Sequence, residues 1–140
     1  MMMKNINVLI TGASSGIGEA LAEYYAANGA ARLFICGRNA ERLEKVRASC
    51  VALGAEVFAE VLDVADSKAM AEWVARCNDI APLNLAIANA GMGTVNETDD
   101  SIRNTFATNV NGVINTVLPV LQAYRARPAQ YAEDKAVAVV

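Results

Sequence analysis

The chain has 140 residues, is 54% hydrophobic and only 19% charged, and carries a net charge of −3 with no histidine. That length supports one domain with a real core, and that hydrophobicity excludes disorder. A weakly acidic chain offers no basic field to meet nucleic acid. Without histidine, Ser–His nucleophiles and most catalytic zinc sites are excluded.

Asn5–Thr11 is a short apolar run ended by Gly12, the pattern of a buried strand. From Ser15 to Asn28 the residues Ile17, Leu21 and Tyr24/Tyr25 recur at helical spacing, which predicts a helix with those side chains inward and Gly29 past its end. Arg32–Gly37 reads as a second strand. Ala40–Leu53 follows as a helix with Leu43, Val46, Cys50 and Leu53 on one stripe, stopped by Gly54. Glu56–Val64 gives a third strand, and Asp66 is placed to cap a helix whose Met70, Trp73/Val74 and Cys77 face inward. After Pro82, Leu83–Ala88 reads as a fourth strand.

A long helix is predicted from Asp99 to Arg125, bent at Pro119, with Ile102, Phe106, Val110, Val113, Val117 and Leu121 as its inward stripe. Ala136–Val140 is a fifth strand. The order βαβαβαβαβ, with no linker or repeat, predicts one α/β domain over 1–140: a doubly wound parallel sheet of the Rossmann type. The three cysteines, Cys36, Cys50 and Cys77, share no metal or redox spacing, so no metal site is expected. An odd number of thiols and no secretory leader read as cytoplasmic, and no apolar run approaches membrane-spanning length.

Thr11-Gly12-Ala13-Ser14-Ser15-Gly16-Ile17-Gly18 joins the first strand to the first helix. Glycines there permit a tight turn and let a pyrophosphate reach a helix N-terminus, where free N–H groups and the helix dipole favour its charge. The segment resembles the TGxxxGxG motif of the classical short-chain dehydrogenases/reductases. Three further segments agree in order: Leu62-Asp63-Val64, Asn89-Ala90-Gly91 and Asn109-Val110-Asn111-Gly112. The resemblance implies an oxidoreductase moving a hydride between a nicotinamide cofactor and a carbonyl or alcohol. It implies cofactor contacts at Thr11, Gly12, Ser14, Ser15, Gly16, Ile17, Gly18, Asp63, Val64, Asn89, Ala90 and Gly91, and a catalytic role for Asn109. It also implies a homo-oligomer for the complete protein.

An acidic residue at the end of the second strand would bind a ribose 2′-OH and select NAD. Here Gly37 stands in that place and Arg38 follows. A guanidinium can pair with a 2′-phosphate that a carboxylate would repel, so NADP(H) is expected ahead of NAD(H).

The family's catalysis also implies Ser, Tyr and Lys beside the Asn. Tyr131 and Lys135 have the YxxxK spacing. They fall, however, between the last helix and the fifth strand, at the sheet edge opposite the one that binds ligands. They are therefore expected to be a loop coincidence. In the family the Ser follows a strand like Ala136–Val140, and the expectation is a cofactor-binding part truncated after that strand, without Ser, Tyr or Lys. The rival reading is a non-catalytic dinucleotide-binding module.

Overall fold

The computed structural model describes residues 5–93, 96–128 and 134–140. Five parallel strands are present: β1 (Asn7–Thr11), β2 (Arg32–Gly37), β3 (Glu56–Val61), β4 (Leu85–Ala88) and β5 (Ala136–Val139). Their order across the sheet is β3-β2-β1-β4-β5. The helices are α1 (Gly16–Ala27), α2 (Ala40–Ala52), α3 (Ser67–Ile80), α4 (Asp99–Phe106) and α5 (Gly112–Ala126), with a π-helical segment, Ala107–Asn111, between the last two. This is the doubly wound Rossmann arrangement.

Side chains alternate across a strand, so each central strand supplies two cores. Val8, Ile10, Leu33, Ile35 and Ile87 pack with α1 and α2 residues such as Ala22, Ala26, Leu43, Val46 and Cys50 on one face. Leu9, Phe34, Cys36 and Ala86 pack with Met70, Trp73, Val74 and Cys77 of α3 and Val120 and Tyr124 of α5 on the other. Chain order leaves β1 toward β2 on one side and returns beside β1 as β4 on the other. The C-terminal ends of β1 and β4 therefore splay connections in opposite directions and open a crevice between them.

Two helices differ from the sequence expectation in the same way. On α1 the buried residues are Gly18, Ala22 and Ala26; of the expected stripe Leu21 and Tyr25 are half-buried and pack on the core, whereas Ile17 is 62% and Tyr24 53% exposed. On the long helical stretch Thr108, Gly112, Thr116, Val120 and Tyr124 are buried; of the expected stripe Ile102, Phe106 and Val110 are exposed and Val113, Val117 and Leu121 half-buried, and Ile114 and Leu118 are exposed as well. Small residues let a helix axis lie close to the sheet. A 3.6-residue period marks an apolar stripe without saying which surface covers it. The Thr116 hydroxyl donates to the Gly112 carbonyl at 2.7 Å, so its burial leaves no orphan donor.

The long helix is interrupted by the π segment, and α5 runs on through Pro119. Strand β3 stops at Val61, short of the expected Val64, because Asp63 turns the chain: its carboxylate accepts from the Ala65 N–H at 2.9 Å. Leu53 is exposed past the end of α2.

All three cysteines are free and buried. Burial pushes the Cys36 and Cys77 thiols up to about 12 and Cys50 up to about 11, from an ordinary 9.0. A raised pKa in the folded state means the unfolded chain sheds these protons first. The stabilisation is complete below about pH 9 and is lost as pH rises toward 12. The melting temperature is expected to hold near neutrality and fall above about pH 9, and the fall should be shallower in a Cys36→Ala/Cys77→Ala variant. Parallel alkaline limbs in the two proteins would refute this.

Candidate functional site

The crevice between β1 and β4 is a cleft of about 630 Å³. Its lining includes Gly12, Ser14, Ser15, Gly16 and Ile17 from the β1–α1 turn, Gly37 and Arg38 from the end of β2, Asp63 and Val64, and Asn89, Ala90 and Gly91 after β4. Of the sequence-assigned cofactor residues, only Thr11 and Gly18 lie outside this lining.

Hydrogen bonds set the shape of the turn. The Thr11 hydroxyl accepts from the Asn89 N–H at 3.0 Å and the Ala90 N–H at 3.1 Å. The Asn89 side-chain amide donates back to the Thr11 and Gly12 carbonyls at 3.2 and 3.3 Å. The ends of β1 and β4 are thereby tied side by side. Thr11 is buried at 1% exposure, so it holds the walls and adds none of their surface.

Gly12 has φ +65°, and a Cβ there would lie 2.6 Å from the Ala90 Cα; only glycine permits that approach. Gly16, which lines the cleft, has φ +59° with nothing within 4 Å of an added Cβ. Gly18 is buried behind the turn, where a Cβ would overlap the Gly12 carbonyl oxygen and come within 2.6 Å of the Asn89 amide nitrogen.

Helix α1 begins at this turn. Its N-cap, Ser15, makes no side-chain cap bond, whereas Asn39 caps α2 and Asp66 caps α3 through their side chains. The first-turn N–H groups of α1 remain available to an anion in the cleft, where the dipole adds attraction. At the β2 end, Arg38 is joined by Arg42 and Asn39. Among the described residues neither arginine enters an ion pair. Arg42 was not singled out from sequence. Its signal is a cation four positions after Arg38, in a first helical turn where the dipole disfavours it. Gly37 is buried, and a Cβ there would sit 3.0 Å from the Ser14 side chain, so the β2 end packs directly on the turn.

Asn109 lies in the π segment, a geometry often found at functional sites. It is exposed, but its side chain has a partner: it accepts from the Met92 N–H and donates to the Met92 carbonyl, both at 2.7 Å. This reciprocal pair fixes the chain just beyond Asn89-Ala90-Gly91. Thr108, its buried neighbour, lines the cleft and was also not predicted.

Tyr131 lies outside the described residues. Lys135 is at the opposite edge of the sheet: its ammonium donates to the Tyr124 carbonyl at 3.1 Å, and the next residue opens β5 opposite Leu85. Among the described residues no group of three His, Cys, Asp or Glu is placed to hold a metal.

The residues present fit a dinucleotide: an open glycine turn at an uncapped helix N-terminus, two unpaired arginines at one end and a closed polar seam beneath. Solved structures share the architecture. An alcohol dehydrogenase from Thermococcus sibiricus, complexed with 5-hydroxy-NADP, superposes with a TM-score of 0.80 at 30% identity over 87% of this chain and 54% of that one. Levodione reductase gives 0.80 at 30% identity over 87% of this chain and 50% of that one.

Among curated relatives, galactitol 2-dehydrogenase (L-tagatose-forming) of Cereibacter sphaeroides is 37% identical over 74% of this chain and 41% of its own. The 3-dehydrosphinganine reductase TSC10A of Arabidopsis thaliana is 33% identical over 89% of this chain and 39% of its own. The chain thus spans well under half the length of these relatives. The short chain dehydrogenase family model matches residues 6–130. The glycine turn, the seam between β1 and β4 and the π-segment asparagine all fall within that span, and the chain belongs to the short-chain dehydrogenase family.

Proposed function

We propose that this chain is the cofactor-binding part of an NADP(H)-dependent oxidoreductase acting on a carbonyl or alcohol. The observation that supports this most is the β2 end of the cleft. Gly37 leaves no carboxylate there, and Arg38 and Arg42 line it without ion-pair partners. A bound nicotinamide dinucleotide would supply a hydride to a carbonyl or accept one from an alcohol. The α1 N-terminus and Ser14–Ile17 would hold its pyrophosphate and Arg38 a 2′-phosphate, and the seam of Thr11 with Asn89 would keep the ends of β1 and β4 in place beneath it. Asn109 holds Met92, and with it the wall beside the reacting end. The curated relatives are named for galactitol and for 3-dehydrosphinganine, which share only the carbonyl–alcohol chemistry; the substrate class is proposed no more narrowly.

The test is a titration of NADPH and NADH against the wild type and Arg38→Ala. The wild type is expected to bind NADPH the more tightly. Arg38→Ala is expected to lose about ten- to a hundredfold for NADPH, from a lost charge-assisted contact of about 1.5–3 kcal/mol, with NADH unchanged. Equal wild-type affinities, or no loss on substitution, would overturn the assignment.

A second reading is a dinucleotide-binding module without turnover, and one observation favours it: the Lys135 ammonium is bonded to the Tyr124 carbonyl at the sheet edge opposite the cleft. Three free, buried thiols support a reducing compartment such as the cytoplasm. Among the described residues no helix is long and apolar enough to cross a membrane. The exposed stripe Ile102, Phe106, Val110, Ile114 and Leu118 supports self-association. Light scattering at micromolar concentration is expected to show species larger than a monomer, and Phe106→Glu/Leu118→Glu is expected to return the monomer. A monomeric wild type would count against it.

A further inference from the structure

The Asp63–Val64 wall of the cleft is poorly supported by its own strand. The last hydrogen bond from this segment to the sheet runs from the Leu62 N–H to the Gly37 carbonyl at 3.0 Å. Beyond it the bonds of Asp63 are local: its carboxylate accepts from the Ala65 N–H, and its carbonyl from the Asp66 N–H at 3.0 Å. No hydrogen bond of Asp63 ties the wall to another element.

One long-range bond does. The Asn115 side-chain amide, on α5, donates to the Val64 carbonyl at 2.9 Å across 51 residues of sequence. One helical turn earlier, Gly112 faces the same residue. A Cβ on Gly112 would lie 2.5 Å from Val64 Cγ2 and 3.2 Å from its Cβ. The missing side chain therefore sets how closely α5 approaches, and the Asn115 amide holds Val64 at that distance. Val64 is 4% exposed and packed in the α3–α5 core, yet with Asp63 it forms part of the cleft lining.

We propose that Asn115 is a positioning residue for the cofactor, with Gly112 as its spacer: together they place the Asp63–Val64 wall from α5 rather than from β3. This rests on the reading of the cleft as a dinucleotide site whose adenosine end meets Asp63 and Val64. Asn115 touches no ligand. It acts by removing slack from a wall that would otherwise be ordered on binding, a cost that reduces affinity.

Two measurements test it. The first is hydrogen exchange on the ligand-free protein, comparing wild type, Asn115→Asp and Gly112→Ala. Asn115→Asp keeps the shape but replaces the donor with a charge facing a carbonyl. Gly112→Ala pushes on Val64 and leaves the Asn115 amide intact, so it also decides the matter if Asn115→Asp fails to fold. Exchange in the Leu62–Asp66 segment is expected to accelerate in both, while β1 and β4 amides keep their wild-type protection.

The second measurement is titration with NADPH, 2′,5′-ADP and reduced nicotinamide mononucleotide. Affinity for the first two is expected to fall about three- to tenfold, the scale of one net hydrogen bond, while the third is unchanged. Asn115→Gln, which retains the amide donor on a longer arm, is expected to recover part of the loss. Unchanged exchange at Leu62–Asp66, or equal loss for all three ligands with protection lost throughout, would overturn the proposal. If the wild type binds neither NADPH nor 2′,5′-ADP, the cofactor reading fails, and the exchange result alone then decides whether α5 sets the wall.

Discussion

Gly18→Val is expected to remove both cofactor binding and a large part of the stability of the fold. A Cβ at position 18 meets main chain rather than solvent: it overlaps the Gly12 carbonyl oxygen and lies 2.8 Å from the Gly12 carbonyl carbon. It also approaches the Asn89 amide nitrogen that donates to the Thr11 and Gly12 carbonyls. The turn cannot yield without breaking the seam between β1 and β4, and α1 cannot move out without uncovering Ala22 and Ala26 from the core. Overpacking of this kind costs about 1–3 kcal/mol and more when backbone must shift, out of a margin of about 5–15 kcal/mol for a whole domain.

The contrast is Gly16→Ala. Nothing lies within 4 Å of its added Cβ, so the cost is the positive φ of +59°, about 1–2 kcal/mol. Gly16 lines the cleft, so the added methyl group brings bulk to the turn that is to receive an anion. Thermal melts and NADPH titrations of both variants give the test. Gly16→Ala should melt within several degrees of the wild type and bind weakly. Gly18→Val should melt far lower and show no binding. A valine protein with a wild-type melt and wild-type affinity would refute the role of Gly18 as the contact between helix and turn.

The second large effect is an absence of turnover. With NADPH and a panel of ketones and aldehydes, the 140-residue chain is expected to oxidise no cofactor above background. Tyr131→Phe and Lys135→Met should leave that baseline unchanged. A proton donor must come within about 3 Å of the reacting oxygen or reach it through one water. The Lys135 ammonium is engaged by the Tyr124 carbonyl at the N-terminal edge of the sheet. Strand β4 separates that edge from Asn89, and four residues at about 3.3 Å each make a gap of about 13 Å. Asp134, with φ +62°, and Ala136, the first residue of β5, place Lys135 in a connection and not on a helix face. General acid–base catalysis contributes about 10²–10⁴-fold. Turnover that Tyr131→Phe reduced on that scale would show that the pair is the acid and its partner after all. Turnover that both variants retained would point to an acid elsewhere in the chain.

Several features were legible because they are local. The run from Thr11 to Gly18 combines strand end, positive-φ glycine and helix start within eight consecutive residues, and each is a short-range demand of the backbone. Asp66 caps α3 as expected, and Met70, Trp73, Val74 and Cys77 face inward on it, because only one side of that helix is apolar. Gly37 ends β2 and Arg38 follows it, and both line the cleft, since strand and turn lengths alone carry the chain there.

By itself, then, the sequence determined the order of elements and the residues gathered at the C-terminal ends of β1, β2 and β4, since capping, turn geometry and strand period act over a few residues. Only the tertiary structure decided which stripe of α1 and of the helical stretch from Asp99 to Ala126 meets the sheet. The stretch from Ile102 to Leu118 has an apolar stripe and a small-residue stripe at the same spacing, and close approach to Val64 selects the face bearing Gly112 and Thr116. It also decided that Thr11 and Gly18 build the cleft from behind, that Asn109 grips Met92, and that Asn115 holds Val64. Each of these is a contact between elements distant in the chain, and no local pattern encodes the distance between two surfaces until both have packed.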